Sequence, residues 1–402
     1  MKIGIIKEGK IPVDKRVVLS PTACKEVIEK FPEVKIVIQP SQIRCYKDQE
    51  YVEAGFQLQD DVSDCDVLLG IKEVPISDLI PQKIYFFFSH TIKKQDYNRD
   101  LLVALLRNQI QLVDYEMLTD KKGQRVIAFG RFAGLVGAYN GILAFGKKNN
   151  LFDLKPAHKC FDLAEMKEEC KKVELPPKKI VVTGGGRVAK GAMETLDAMG
   201  IRKVKPVEFL EQDFEEAVYV QLNSKSYHHR KDGGEFAYQH FYANPSEYNS
   251  SFLQYTKVAD VLIAGAYWHP ESPVLFTKED MRSEDFSIRV IADITCDIEG
   301  SIPSTKKPST IHDPIYDYNP ETENLASSLS DKKNITVMAV DNLPNELPRD
   351  ASDSFGRQLI DEVLPNLIDE DSADMIKDAS ITKGGKLTEN YAYLQDFADG
   401  KE

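Results

Sequence analysis

The strongest constraint on the fold is an alternation that runs twice through the chain. Over residues 1–118, short apolar runs lie at Lys2–Ile6, Lys35–Gln39, Val67–Ile71, Ile84–Phe88 and Gln111–Asp114. Helical patterns such as Thr22–Lys30 and Asp96–Arg107 separate them. Continuously apolar runs suit strands buried on both faces, and crossover helices place such strands in a parallel sheet. Ser20 before Pro21 reads as a helix start, with Ser as cap and Pro in the first turn. A second series begins at Lys178, with strands at Lys179–Thr183, Val218–Leu222, Val261–Ala264, Val290–Asp293 and Thr336–Val340.

The turn after Lys179–Thr183 is Gly184-Gly185-Gly186-Arg187-Val188-Ala189-Lys190-Gly191, followed by a helix over Ala192–Met199 that Gly200 closes. A dinucleotide turn needs one Gly for the bend, one for close approach to pyrophosphate, and a small residue for helix packing. Gly184, Gly186 and Ala189 have that spacing, between a strand and a helix whose N-terminus would meet phosphate. A tight structural turn is the alternative. The prediction is an α/β protein of two Rossmann-like doubly wound parallel-sheet domains with a cleft between them. The amphipathic stretch Ser354–Ile368 has no strand partner of its own and is expected to return to the first domain. That makes residues 1–135 with about 340–402 a substrate domain, and 136–339 the dinucleotide-binding domain. The stretch ending at Pro176-Pro177 reads as a surface connection. The polar, aromatic residues 226–256 read as functional or locally folded. The acidic tail from Asp369 reads as superficial, with Tyr391, Tyr393 and Leu394 as docking points.

A length of 402 residues fits two domains, and 42% apolar residues suffice for their cores. A net charge of −13 opposes nucleic-acid and anionic-membrane partners, and no apolar run has the length of a membrane span. Met1–Ile6 already reads as strand, so no signal peptide is expected and the cytoplasm is the expected compartment. The six cysteines are scattered and read as free thiols, with no metal site.

Polar groups at the carboxyl ends of parallel strands face the ligand crevice. Lys72 follows one apolar run and His90 another. Burial lowers a Lys pKa and His titrates near neutrality, so the pair suits shared proton transfer. Glu116 and Arg125 follow the next run, with Glu116 placed to bias Lys72 or His90. Arg16 and Arg125 are candidate carboxylate clamps. Each residue alone is more often a satisfied structural charge, and their joint placement carries the reading. In the second series, Asp293 ends a strand as a candidate for orienting nicotinamide. Asp341 ends another, where a turn explains it as well. After Val218–Leu222 come Asn223, Ser224, Lys225, His228, His229, Arg230 and Lys231: cations and no acid. That is compatible with a ribose 2′-phosphate or with a solvated basic loop, so NAD or NADP stays open.

These residues carry a resemblance. Gly70-Ile71-Lys72-Glu73-Val74-Pro75, Phe87-Phe88-Ser89-His90-Thr91-Ile92-Lys93, Asp114-Tyr115-Glu116, Gly123–Gly134, Gly186–Ala192, Ala292-Asp293-Ile294 and Val340-Asp341-Asn342-Leu343-Pro344 occur in order over nearly the whole chain. The sequence resembles the lysine-forming saccharopine dehydrogenase and lysine–ketoglutarate reductase group, within the wider alanine dehydrogenase family. Within that group it resembles the reductase half of aminoadipic semialdehyde synthase. The resemblance implies NAD(P)-dependent interconversion of saccharopine with lysine and 2-oxoglutarate through an imine. It implies Lys72 and His90 as acid–base groups with Glu116 tuning them, Arg16 and Arg125 on substrate carboxylates, and Asp341 near cofactor or substrate. The implied partners are a small amino acid and an oxo acid; oligomeric state stays open. The fused enzyme continues into a second module, which is not expected here, and Phe161–Pro177 has no match. Two rivals remain: an alanine dehydrogenase-like enzyme on another amino acid, and a non-catalytic nucleotide sensor.

Overall fold

In the computed structural model, which describes residues 1–369, 371 and 374–401, the apolar runs of the first series become β1 (Lys2–Ile5), β2 (Lys35–Ile38), β3 (Gln57–Leu58), β4 (Val67–Leu69), β5 (Ile84–Phe87) and β6 (Gln111–Asp114). All pair in parallel, in the order β6-β5-β4-β1-β2-β3. Ile3 lies opposite both Ile36 and Val67 in register. Burial on both faces explains the unbroken apolar runs: Ile3, Ile5, Val67, Leu69, Phe86 and Val113 are fully buried. Helices cross between strands, and Ser20 caps the helix Pro21–Lys30 by accepting from the Ala23 N–H at 3.2 Å. Chain order reverses between β1 and β4, which puts the carboxyl ends of those two strands at a switch point.

The tail corrects the sequence reading. Ser380–Lys383 pairs antiparallel with β6 and turns into Lys386–Leu387, while Ile381, Tyr391 and Leu394 are buried. The open edge of β6 presents unpaired backbone groups, and the tail satisfies them. Of the tail as read from Asp369, residues 370, 372, 373 and 402 lie outside the described ones. The helix read over Ser354–Ile368 begins at Pro348 and is broken by a π-helical turn at Leu359–Val363 before Leu364–Ile368. Pro365 has no N–H and crowds the carbonyl four residues back, which a widened turn relieves.

The second series forms β7 (Lys179–Thr183), β8 (Arg202–Lys203), β9 (Val218–Leu222), β10 (His228–Arg230), β11 (Tyr248–Ser250), β12 (Val261–Ala264), β13 (Val290–Asp293), β14 (Ile315–Asn319), β15 (Asn324–Ala326) and β16 (Ile335–Met338). The main sheet runs β15-β14-β16-β13-β12-β7-β9-β8. It is parallel except for β14 and β15, an antiparallel edge that the sequence reading lacks. Asp317 hides β14 by interrupting its apolar pattern; the carboxylate is buried and accepts from Thr336 Oγ1 at 2.7 Å. Within 226–256, β10 and β11 form a small sheet under the rings of Phe236, Phe241 and Tyr248, so this stretch is locally folded.

The chain divides into Met1–Phe129 with Pro348–Glu402, and Gly130–Leu347. The second unit therefore starts at 130 rather than 136 and ends at 347 rather than 339. The helix Gly130–Asn149 belongs wholly to it, and Asn140 Nδ2 donates to Glu346 Oε1 at 2.8 Å. That helix packs on Arg187–Ala198 at glycine contacts: a Cβ on Gly134 would lie 1.9 Å from Val188 O, and one on Gly191 would lie 2.0 Å from Arg131 O. The supposed surface connection carries a helix, Leu163–Cys170, capped by Asp162 and burying Met166 and Cys170.

Candidate functional site

In the first unit, charged side chains gather after β1, β4, β5 and β6. Glu8 follows β1, and its carboxyl oxygens accept from the Ile71 N–H at 2.6 Å and the Lys72 N–H at 2.9 Å. Burial raises Glu8 to about 8, while those N–H groups favour its ionised form and work against the shift. Arg16 is buried in a two-point pair with Asp14, Nε to Oδ1 at 2.9 Å and Nη2 to Oδ2 at 2.5 Å. Its guanidinium lies 4.2 Å from the Phe129 ring centroid. The fork expected to grip a substrate carboxylate is thus already engaged with Asp14.

Lys72 is half-buried after β4, and its Nζ makes no hydrogen bond or ion pair with any described residue. Burial pushes its pKa below the ordinary range, and the Arg16 charge pushes the same way against Asp14 and Glu73. A desolvated amine held near cations is suited to exchange protons near neutral pH.

His90 sits in the left-handed region at φ 55°, uncommon for a residue with a side chain. The local bonds explain why it stays there. Asp114 Oδ2 accepts from Ser89 N–H at 2.9 Å and Ser89 Oγ at 2.5 Å, and Asn98 Nδ2 donates to His90 O at 3.2 Å. The His90 Nδ1 pairs with Glu73 Oε1 at 2.7 Å, and Lys10 Nζ donates to both Glu73 oxygens at 2.7 Å. Burial alone would raise Glu73, but the bonds from His90 and Lys10 prevail and hold it at about 2.

Glu116 lies elsewhere in this network. It pairs with Arg125 Nη2 at 2.8 Å and lies 3.8 Å from Lys93 Nζ, and Arg125 Nε also donates to Glu116 O at 3.2 Å. The carboxylate beside His90 is therefore Glu73, and those nearest Lys72 in charge are Asp14 and Glu73, in place of the expected Glu116. Glu73 was visible as the neighbour of Lys72, and Glu8 and Lys10 as charges following the first strand. Spacing alone did not distinguish them from solvated charges.

In the second unit, Gly184 bends at φ +106°, and a Cβ there would lie 2.9 Å from Gly265 O. Its N–H donates to Leu222 O at 2.7 Å and its carbonyl accepts from Gln221 Nε2 at 2.7 Å. Gly186 caps the helix Arg187–Ala198 without a side-chain acceptor, and a Cβ on Gly186 would meet nothing within 4 Å. Open space in front of helix N–H groups fits a pyrophosphate, and buried Ala189 provides the close packing. Val188 is half-buried in the same turn.

Ser224 and Lys225 begin a short helix after β9, with Lys225 exposed. Part of the basic run behind them is engaged locally. Arg230 Nε pairs with Asp232 at 2.9 Å, Lys231 Nζ donates to Ser246 O at 2.7 Å, and burial pushes His228 down to about 4. The case for a cationic 2′-phosphate site is correspondingly weaker than the sequence suggests. Asp293 is also reassigned: Oδ1 accepts from Thr295 N–H, Thr295 Oγ1 and Cys296 N–H, and Oδ2 accepts from Thr305 Oγ1 at 2.6 Å. Both oxygens pin the loop after β13, and the carboxyl is buried rather than presented to solvent. Asp341 is exposed after β16. Among the described residues, no group of three His, Cys, Asp or Glu is placed to hold a metal, and no helix is long and apolar enough to cross a membrane. All six cysteines are free.

Comparison with known proteins agrees with this layout. Residues 4–136 match the alanine dehydrogenase/PNT N-terminal domain and 166–391 the alanine dehydrogenase/PNT C-terminal domain. The alpha-aminoadipic semialdehyde synthase, mitochondrial, of Mus musculus is 31% identical over 92% of this chain and 45% of that protein. The saccharopine dehydrogenase [NAD(+), L-lysine-forming] of Emericella nidulans is 27% identical over 94% of this chain and 95% of its own length. The chain spans about half the length of the semialdehyde synthases it matches. An L-alanine dehydrogenase structure superposes with a TM-score of 0.66 at 16% identity, covering 100% of both chains, and so shares the fold. With both family regions matched in order and the two-sheet architecture in common, this chain belongs to the alanine dehydrogenase/PNT family.

Proposed function

We propose that this protein is a nicotinamide-dinucleotide-dependent oxidoreductase that interconverts saccharopine with L-lysine and 2-oxoglutarate through an imine. The observation that carries the reading is Lys72, a half-buried amine with depressed pKa and no salt-bridge partner among the described residues, next to charges that also serve His90. Forming an imine from an amine and an oxo acid expels water and requires several proton transfers. Two basic groups with separately tuned surroundings suit that work. Lys72 and His90 take protons from the amine and return them to the departing oxygen, and Glu73 and Lys10 keep the imidazole oriented. A bound reduced nicotinamide supplies the hydride. Gly184, Gly186 and the N–H groups of Arg187, Val188 and Ala189 would hold its pyrophosphate, and Ser224 and Lys225 would be the candidates to meet its ribose. Half-exposed Arg125 binds a substrate carboxylate, while Arg16 acts through the positive charge it holds near Lys72. Asp341, exposed after β16, would face cofactor or substrate. Relatives named for saccharopine dehydrogenase and semialdehyde synthase support the choice of substrates.

The test follows the loss of NADH or NADPH absorbance with 2-oxoglutarate and either lysine or ammonia. Turnover with lysine alone is expected, and running both nucleotides decides the preference. Turnover with pyruvate and ammonia instead would move the protein to alanine dehydrogenase chemistry. Tight dinucleotide binding with no turnover on any amine would make it a sensor.

A further inference from the structure

We propose that Glu8 is a positioning residue for Lys72: its carboxyl group fills the pair of backbone N–H groups at the switch point of the first sheet and so holds the Lys72 peptide in place. This rests on the role given to Lys72 above. In open parallel sheets, the crevice beyond the strand-order reversal is where ligands settle, often as anions against converging N–H groups. In this unit the reversal lies between β1 and β4, and the residues that leave those strands there are Glu8 and Ile71-Lys72.

The unit supplies its own occupant. Glu8 gives one oxygen to the Ile71 N–H at 2.6 Å and the other to the Lys72 N–H at 2.9 Å, with the residue 8% exposed. On the neighbouring Gly70, a Cβ would lie 3.0 Å from Ile6 Cδ1, a tight contact, and 3.6 Å from Glu8 Oε1, an ordinary one. The second unit has the opposite arrangement at its own reversal, between β7 and β12: the helix cap Gly186 offers no side-chain acceptor and the space before it is open. The same fold thus has a self-filled cradle in one unit and an open one in the other. That difference assigns the dinucleotide to the second unit and a fixed catalytic lysine to the first.

The experiment uses the full chain with Glu8→Ala, Glu8→Gln and Glu8→Asp. Folding is checked by circular dichroism and melting. Lys72 is followed by competitive acetic anhydride labelling against pH with mass spectrometry, which needs no substrate, and turnover and NADH binding are measured alongside. In E8A the Lys72 titration midpoint should rise by about one pH unit toward the exposed value, as the released loop lets the amine into water. The kcat should fall about tenfold or more with NADH affinity retained. Sodium formate should restore part of the loss by refilling the N–H pair, and E8D should sit between wild type and E8A. A Lys72 midpoint and kcat unchanged in E8A would overturn the proposal, as would lost activity that formate does not rescue at all. Should E8A fail to fold, E8Q keeps the volume and is expected to show the same midpoint shift; an unshifted midpoint there also overturns it. Wild-type protein without lysine-dependent turnover would defeat the proposed function, yet the labelling midpoints would still decide the role of Glu8.

Discussion

At the residue scale the site is a set of charges whose neighbours determine what each can do. Lys72 and His90 were legible because both end apolar runs, but their partners were not, since side chains far apart in sequence meet only after folding. Glu73 took the place expected of Glu116 because it reaches the imidazole, while Glu116 is held by Arg125. Lys72→Met should lower kcat about a hundredfold or more while leaving dinucleotide affinity within error, measured by turnover and by NADH fluorescence titration. The Lys72 pKa is depressed, and the amine must be deprotonated to accept a proton in the oxidative direction. The rate should therefore fall as pH drops through that depressed pKa, and K72M should lack this limb. Glu73 gives an acid-stability prediction. Its folded pKa of about 2 lies below the unfolded value of about 4.3, so the stability it contributes is present above the unfolded pKa. That contribution is lost as pH falls through the folded pKa. Denaturant melts between pH 6 and pH 2 should show wild type losing on the order of 3 kcal/mol more than Glu73→Gln.

At the element scale, strands buried on both faces were readable and edge strands were not. Unbroken apolar runs mark the former, while β14 and the tail strand carry polar residues that find partners only across a sheet. The glycine turn was readable for the same reason that it works: only glycine takes φ +106° with a carbonyl so close to where a Cβ would be. The partnership of helices Gly130–Asn149 and Arg187–Ala198 could be seen only in part, as a run of small residues. Gly191→Val would drive a side chain into the Arg131 carbonyl. It should cost about 3 kcal/mol and lower the melting temperature by about 10 °C in calorimetry.

At the scale of the whole molecule, the two units differ in how the chain builds them. The second is one continuous segment with its own core and its own glycine loop. Residues 130–347 expressed alone should melt cooperatively and bind NADH or NADPH, checked by calorimetry and fluorescence titration. The first unit needs the chain's last segment, so removing residues from Ser380 onward should bare the β6 edge. Calorimetry should then show loss or aggregation of the first unit with the second unit's transition retained. The two α/β series, the glycine turn and the candidates Lys72 and His90 could be read from the chain alone, because apolar periodicity and glycine spacing are local properties. Folding was needed to bring Glu73 rather than Glu116 onto His90, to tie Arg16 to Asp14, to make Asp293 pin a loop, and to turn the tail into a strand. Each of those outcomes depends on which charges and backbone groups folding removes from water together, and a buried polar group must take whichever partner the fold brings within hydrogen-bond reach.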